Sequence, residues 1–145
     1  MMSAVSGQAE ASRTRPVAWW PLVGLEVIIA VNAIYGGIGL MVNGMGMPGD
    51  WLEATPFDSW TLPGAFLLAA IAVPMSIAAV GELTRWRLAY LASVLAGAVL
   101  IGWIVVQVLV LRRYFFLQPV LGVAGVLVVG LAWWAHRRRN RALPN

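Results

Sequence analysis

Cysteine and lysine are both missing from this 145-residue chain, and histidine occurs once, at position 136. Without cysteine the chain has no disulfide, no thiolate metal site and no covalently attached haem. One histidine cannot supply both axial ligands of a haem, and a histidine-based metal centre is not expected. We therefore predict that the chain binds no metal and no cofactor.

Charge is also scarce. Charged residues make up 11% and hydrophobic residues 61% of the chain, whereas soluble domains carry about 25% charged residues. Such a chain has too little polar surface for a soluble enzyme, a disordered segment or a coiled coil. The composition predicts an integral membrane protein. The ten cationic residues are all arginine, and we interpret this bias as a sign of a bacterial genome and expect the bacterial cytoplasmic membrane, with no nucleic acid as partner.

Four apolar runs are each long enough to cross a hydrocarbon core of about 30 Å as a helix. Backbone groups must pair within each segment in lipid, so the runs predict helices and the fold class is an all-α, integral membrane four-helix transmembrane bundle. The predicted organisation is a mobile tail over 1–17, a transmembrane domain over 18–136 with spans 18–42, 62–83, 88–111 and 115–135 and an outer loop 43–61, and a basic tail over 137–145.

Arginine positions predict the orientation. Eight of the ten arginines fall at one end of a four-span arrangement, at 13, 15, 85, 87, 137, 138, 139 and 141. The long outer loop carries three acidic residues and no cation. By the positive-inside rule both termini are cytoplasmic, and the basic residues there are expected to contact anionic lipids.

Helical wheels predict which faces meet in the bundle, because small residues let helices approach closely in lipid. The predicted faces are Glu26, Ala30, Ala33 and Gly37 in the first span; Ala65, Ala69, Ala72, Ser76 and Ala79 in the second; Ala89, Ser93, Gly97, Leu100, Ile104 and Gln107 in the third; and Gln118, Gly122, Gly125 and Val129 in the fourth. A second face of the first span carries Asn32, Gly36 and Gly39.

Glu26 is the outstanding candidate for a site. Ionised carboxylates are costly in hydrocarbon, and acids inside membranes often mark ion or proton paths. The functional interpretation is a ligand or proton site, whose candidate residues are Glu26, Asn32, Ser76, Ser93, Gln107 and Gln118. The alternative is a structural glutamate that hydrogen-bonds to a neighbouring serine or reaches toward Arg87.

The outer side offers two further candidates. Two arginines, Arg112 and Arg113, lie at the outer end of the third span, against the positive-inside rule, and Tyr114 follows them. They suggest either a clamp for an anionic headgroup or a carboxylate, or exposed ion pairs with the outer loop. Such exposed ion pairs would contribute little to stability. The loop itself is expected to form an outer flap through Asp50, Trp51, Phe57, Asp58 and Trp60. We expect Asp50 to cap a short helix that extends through Ala54.

Several motifs resemble a group of small four-span bacterial membrane proteins without an assigned function. They are Leu52-x-x-Thr55-Pro56-Phe57-x-x-Trp60-x-x-Pro63-Gly64, Asn32-x-x-x-Gly36-Gly37, Trp103-Ile104-x-x-Gln107 and Leu117-Gln118-Pro119. The resemblance covers about residues 20–130 and implies a four-helix fold without implying catalysis.

Three function classes remain open at this stage. The first is a non-catalytic component that packs in a membrane complex or self-associates through its small-residue faces. The second is a binding or transport module for a small molecule, lipid or cation with an intramembrane acidic site. The third is a membrane enzyme that depends on a partner, although the residues offer no nucleophile–base pair, and we lean against an enzyme.

Overall fold

Four long helices contain most of the residues that the structure, a computed structural model, describes, namely 15 and 17–141. They are α1 (Trp19–Asn43), α2 (Thr61–Leu83), α3 (Ala89–Leu111) and α4 (Leu117–Arg141). All four are long and apolar enough to span a membrane. The fold is all-α, and the predicted four-helix bundle is confirmed.

The predicted span limits agree with the helices to within two residues, except at the end of α4. That helix continues to Arg141, so the arginines from 137 to 141 project from a rigid helix where a tail was predicted. Residues 142–145 lie outside the described residues. The same is true of the predicted N-terminal tail, apart from Arg15 and Val17.

The helices pack in chain order around one core. α1 contacts α2, α2 contacts α3, α3 contacts α4, and α4 closes the ring against α1. The core is apolar and its members come from all four helices: Leu22, Ile29, Ala30, Ala33, Ile71, Ala72, Met75, Ala78, Ala96, Leu100, Val128 and Ala132. Residues of α1 and α3 that point inward therefore face each other diagonally across the interior.

Two glycine pairs bring neighbouring helices into backbone contact. A Cβ atom added at Gly37 of α1 would lie 3.0 Å from the carbonyl oxygen of Gly64 in α2, and one added at Gly64 would lie 2.6 Å from that of Gly37. In the second pair, a Cβ atom added at Gly97 of α3 would lie 3.0 Å from the carbonyl oxygen of Gly125 in α4, and one added at Gly125 would lie 3.2 Å from that of Gly97. Only glycine permits such close packing, which membrane helices favour.

A π-helical turn interrupts α2 at Leu68–Ala72. Pro74 follows it and lacks the backbone N–H that would bond to the carbonyl of Ala70. The N–H of Val73 instead donates to the carbonyl of Leu68, five residues back. The proline thus explains why the regular α-helical ladder is broken at this point.

The outer loop packs against the ends of α1 and α2. It contains two 3-10 turns, Gly44–Gly46 and Gly49–Leu52. Gly44 ends α1 in the left-handed region, with φ 65°, and the Trp60 ring covers it closely. The prediction that Asp50 caps a short helix is wrong, because Pro48 precedes the second turn and Asp50 lies inside it.

Candidate functional site

Glu26 lies in the interior of the bundle and is 0% exposed. It is on the inward face of α1, seven residues after the helix begins at Trp19, which corresponds to about 10 Å along the axis. At 0% exposure no water-sized space touches this side chain. The chain therefore holds a titratable group in a site without solvent.

Ser93 is the polar neighbour of Glu26. It projects inward from α3 and is also 0% exposed, and its hydroxyl faces the glutamate carboxyl. Within the described chain, neither Glu26 Oε1 nor Oε2 nor Ser93 Oγ makes a hydrogen bond of acceptable geometry. Buried polar atoms without partners are rare in native proteins, so this cluster requires an explanation.

A second acid, Glu82, lies near the end of α2 and acts electrostatically on Glu26. It is half-buried, and Arg15 and Arg139 act on it in turn. The Trp19 indole Nε1 donates to the Glu82 backbone carbonyl over 3.3 Å. The buried Glu26 carboxyl therefore lies within electrostatic range of a less buried carboxyl at the arginine-rich end of the bundle.

Contacts at the arginine-rich end join the segment before α1 to α1 and α2, and join α3 to α4. The Arg15 guanidinium donates to the Leu83 carbonyl over 3.0 Å and lies 3.6 Å from the centre of the Trp19 ring. The His136 ring of α4 stacks on Tyr90 of α3, with 4.1 Å between ring centres. These contacts fix α1, α2, α3 and α4 at one level, close to the predicted membrane surface.

The other predicted residues of the inner site do not join Glu26 and Ser93. Ser76 is half-buried in a shallow groove of about 370 Å³ beside Val80 and Trp86. Asn32 is exposed on the outside of α1, where its Nδ2 donates to the Ile28 carbonyl over 3.0 Å.

The two glutamines lie toward the other end of the bundle. Gln107 is half-buried on α3. Gln118 is buried, and its Oε1 accepts a hydrogen bond of 3.1 Å from the Phe115 backbone N–H. This hydrogen bond gives the Phe115 N–H a partner just before α4 begins, so Gln118 has a structural role at the start of that helix.

The outer candidates are exposed and remain separate. Arg112, Arg113 and Tyr114 all face the outside, and among the described residues no ion pair joins either arginine to an acid. In the outer flap, Asp50 and Asp58 are exposed, while Trp51, Phe57 and Trp60 are half-buried. The Phe57 ring lies 6.2 Å from that of Phe66 and anchors the flap to α2.

Metal binding has no support from the described part of the chain, where no group of three or more His, Cys, Asp or Glu could hold an ion. Sequence reasoning missed Glu82, which the wheels did not place on an inward face. An available signal was its position at the end of an apolar run, beside arginines and tryptophans.

Comparison with known proteins gives no family for this chain. No family model, curated protein or solved structure matches it. The fold and the acidic cluster are therefore the basis for inferring function. What they establish is a multi-pass membrane protein with four spanning helices.

Proposed function

We propose that the chain is a non-catalytic component of the bacterial cytoplasmic membrane that self-associates through the outer face of α1. The observation that carries this proposal is Asn32, an amide side chain exposed on α1. It lies 13 residues after Trp19, or about 20 Å along the helix, near the middle of the span. A polar side chain facing hydrocarbon is unfavourable unless another helix provides hydrogen-bond partners.

The α1 outer face consists of Gly24, Ile28, Val31, Tyr35, Ile38 and Val42, all exposed, and the exposed Asn32 lies at its edge beside Ile28 and Tyr35. Their spacing alternates between four and three residues, as in the contact seam of paired helices. A Cβ atom added at Gly24 would meet nothing within 4 Å. A groove of about 710 Å³ runs along the same face, lined by residues that include Tyr35, Gly39 and Met45. This surface has room for a second helix.

A second copy of the chain is a suitable partner for this face, because the Asn32 amide of one copy can hydrogen-bond to the Asn32 amide of the other. The side-chain amide of Asn32 has two N–H donors and one carbonyl acceptor. The hydrogen bond to the Ile28 carbonyl uses only one of the donors. Across a two-fold axis the two Asn32 side chains can donate to and accept from each other. Interhelical hydrogen bonds of this kind contribute about 0.6–2 kcal/mol in membranes.

The orientation we propose places both termini in the cytoplasm. Two cations support it: the Arg15 guanidinium donates to the Leu83 carbonyl, and Arg139 acts electrostatically on Glu82. They bring the segment before α1 and the end of α4 to the same end of the bundle. Arg137 lies 3.8 Å from the centre of the Trp133 ring. An arginine held against a tryptophan at headgroup level is well suited to anionic lipids, which we propose as partners at this end.

The association proposal is tested by measuring dimerisation of single-residue variants in lipid bilayers, by energy transfer between labelled copies. We expect Asn32→Leu to weaken dimerisation about 3- to 30-fold and Asn32→Gln to retain most of it. Gly24→Ile should also weaken it by steric overlap. The matched control is Gly102→Ile on α3, where an added Cβ likewise meets nothing within 4 Å.

Equal dimerisation of the wild type and Asn32→Leu would refute self-association through this face. A wild-type chain that stays monomeric, but binds a different membrane protein in an Asn32-dependent way, would replace the second copy with that partner.

A second candidate function is a binding or transport module with an intramembrane acidic site. The full burial of Glu26 beside Ser93 favours it, since acids inside membranes commonly belong to ligand or ion sites. Binding of a lipophilic cation such as tetraphenylphosphonium, which requires the helices around Glu26 to separate, tests this candidate. We expect binding to be lost in Glu26→Gln; binding that is equal in the variant and wild type, or absent from both, would exclude a cation site at Glu26.

A further inference from the structure

Three buried oxygen atoms in the bundle interior lack partners at the same place. They are Glu26 Oε1, Glu26 Oε2 and Ser93 Oγ, and both residues are 0% exposed. An ionised Glu26 would find a single donor there, the Ser93 hydroxyl. Burying a carboxylate with so little compensation costs far more than burying a neutral acid.

One added proton provides partners for all three atoms. A neutral carboxyl has one O–H donor and a carbonyl acceptor, and a serine hydroxyl both donates and accepts. The Glu26 O–H can donate to Ser93 Oγ while the Ser93 O–H donates to the other carboxyl oxygen. Small rotations of the two side chains, which already face each other, are sufficient to form this pair.

We propose that Glu26 and Ser93 form a proton-binding site in the bundle interior, loaded from the arginine-rich end through Glu82. The inference rests on the second candidate function, for which it names the ligand, and is independent of association through α1. A proton taken up by the Glu82 carboxylate passes to the Glu26 carboxylate, and Glu82 returns to its ionised form. No other bond changes.

The groups that act on the site come from three helices and the segment before α1. Ser93 of α3 and Glu82 of α2 act on Glu26. Arg139 of α4 and Arg15 act electrostatically on Glu82.

A proton fits this site better than a metal cation. At 0% exposure Glu26 has no adjoining space for a hydrated ion, and the described residues contain no group of three or more His, Cys, Asp or Glu that could hold a metal. A proton needs neither space nor a ligand shell.

Infrared spectroscopy of the full chain in vesicles tests the proposal through the C=O stretch of a protonated carboxylic acid. At neutral pH we expect this band in the wild type, its loss in Glu26→Gln and its retention in the matched control Glu53→Gln, which removes an exposed acid of the outer loop. Ser93→Ala should shift the band, because one hydrogen bond is lost. In Glu82→Gln, exchange of the carboxyl proton for deuterium should be slower than in the wild type.

The glutamine variant is expected to fold, since its amide can donate to and accept from Ser93 as the neutral acid does. If it does not, wild-type chain made with glutamate labelled with ¹³C at the side-chain carboxyl assigns the band to a glutamate through its downshift. The same shift in Glu82→Gln assigns it to Glu26, which is then the only glutamate that is not exposed among the described residues. A wild type without the band, or a band that persists in Glu26→Gln, would overturn the proton site. Exchange at the wild-type rate in Glu82→Gln would overturn the route. A missing band together with Glu26-dependent cation binding would refute the proton inference alone.

Discussion

Substitution of Gly97 by alanine tests the close packing of α3 against α4. The added methyl carbon would lie 2.8 Å from Val129 Cγ2, 3.0 Å from the Gly125 carbonyl oxygen and 3.2 Å from Val128 Cγ1. Carbon atoms in favourable contact are about 3.5–4.0 Å apart. The carbonyl belongs to the α4 backbone and the two valines have stiff χ1 angles, so the helices must separate.

The expected cost can be isolated with a second variant of the same helix. Overpacking of a close-packed interior costs about 1–3 kcal/mol. Alanine also favours the helix over glycine by about 0.8–1.0 kcal/mol, a gain that Gly97→Ala shares with Gly102→Ala. Nothing lies within 4 Å of a Cβ added at Gly102, so this control receives the gain without the overlap. We therefore expect Gly97→Ala to be less stable than Gly102→Ala by about 1–3 kcal/mol.

The assay is unfolding in mixed micelles with increasing sodium dodecyl sulfate, followed by tryptophan fluorescence, for which the chain has eight tryptophans. The free energy of unfolding of each variant is compared with that of the wild type. A Gly97→Ala chain as stable as Gly102→Ala, or more stable, would refute the backbone contact between α3 and α4.

Two further predictions concern the left-handed residues that end α1 and α3. Gly44 has φ 65°, and a methyl group there would lie 2.7 Å from Trp60 Cδ1. We therefore expect Gly44→Ala to lower the free energy of unfolding by about 1–2 kcal/mol or more. An unchanged free energy would contradict the packing of Trp60 on the end of α1. Arg112 has φ 47°, a conformation that glycine adopts more easily, so Arg112→Gly should leave stability unchanged or raise it by up to about 1 kcal/mol. Both are measured by the same titration, and a clear loss in Arg112→Gly would show that its side chain stabilises the fold.

The sequence was sufficient to predict the four long apolar helices and the inward faces of α1 and α3. All four residues predicted for α1 are buried, as are Ala89, Ser93, Gly97, Leu100 and Ile104 of α3. Gln107, the sixth residue predicted for α3, is half-buried. Both faces combine small residues with isolated polar groups, a pattern with few alternatives on a helix whose other residues are large and apolar.

The inward face of α2 was not predictable from residue size. Of its predicted stripe, Ala72 and Ala79 are buried, while Ala69 is exposed. Alanines occur on more than one face of this helix, and apolarity does not separate a core face from a lipid face. Two larger residues of α2, Ile71 and Met75, are buried in the interior as well. They fill space beside the small residues of the other helices.

The composition of the acidic site was predictable only in part. Glu26 stands out because it is an acid within an apolar run, but its neighbours depend on the order of the helices around the core. The diagonal arrangement of α1 and α3 brings Ser93 to Glu26, whereas Ser76 of α2 lies in a groove on the surface. No local pattern predicted that α4 continues as a helix to Arg141, because a run of arginines is equally compatible with an irregular tail.

The most direct test of the four-span arrangement uses the absence of cysteine from the chain. Single cysteines are introduced at Gly49 in the outer loop and at Thr84 between α2 and α3, both exposed, and intact cells are treated with a membrane-impermeant maleimide. We predict that Gly49→Cys is labelled in intact cells and that Thr84→Cys is labelled only after lysis. Labelling of both from the same side would contradict a membrane crossing by α2, and with it the four-span bundle.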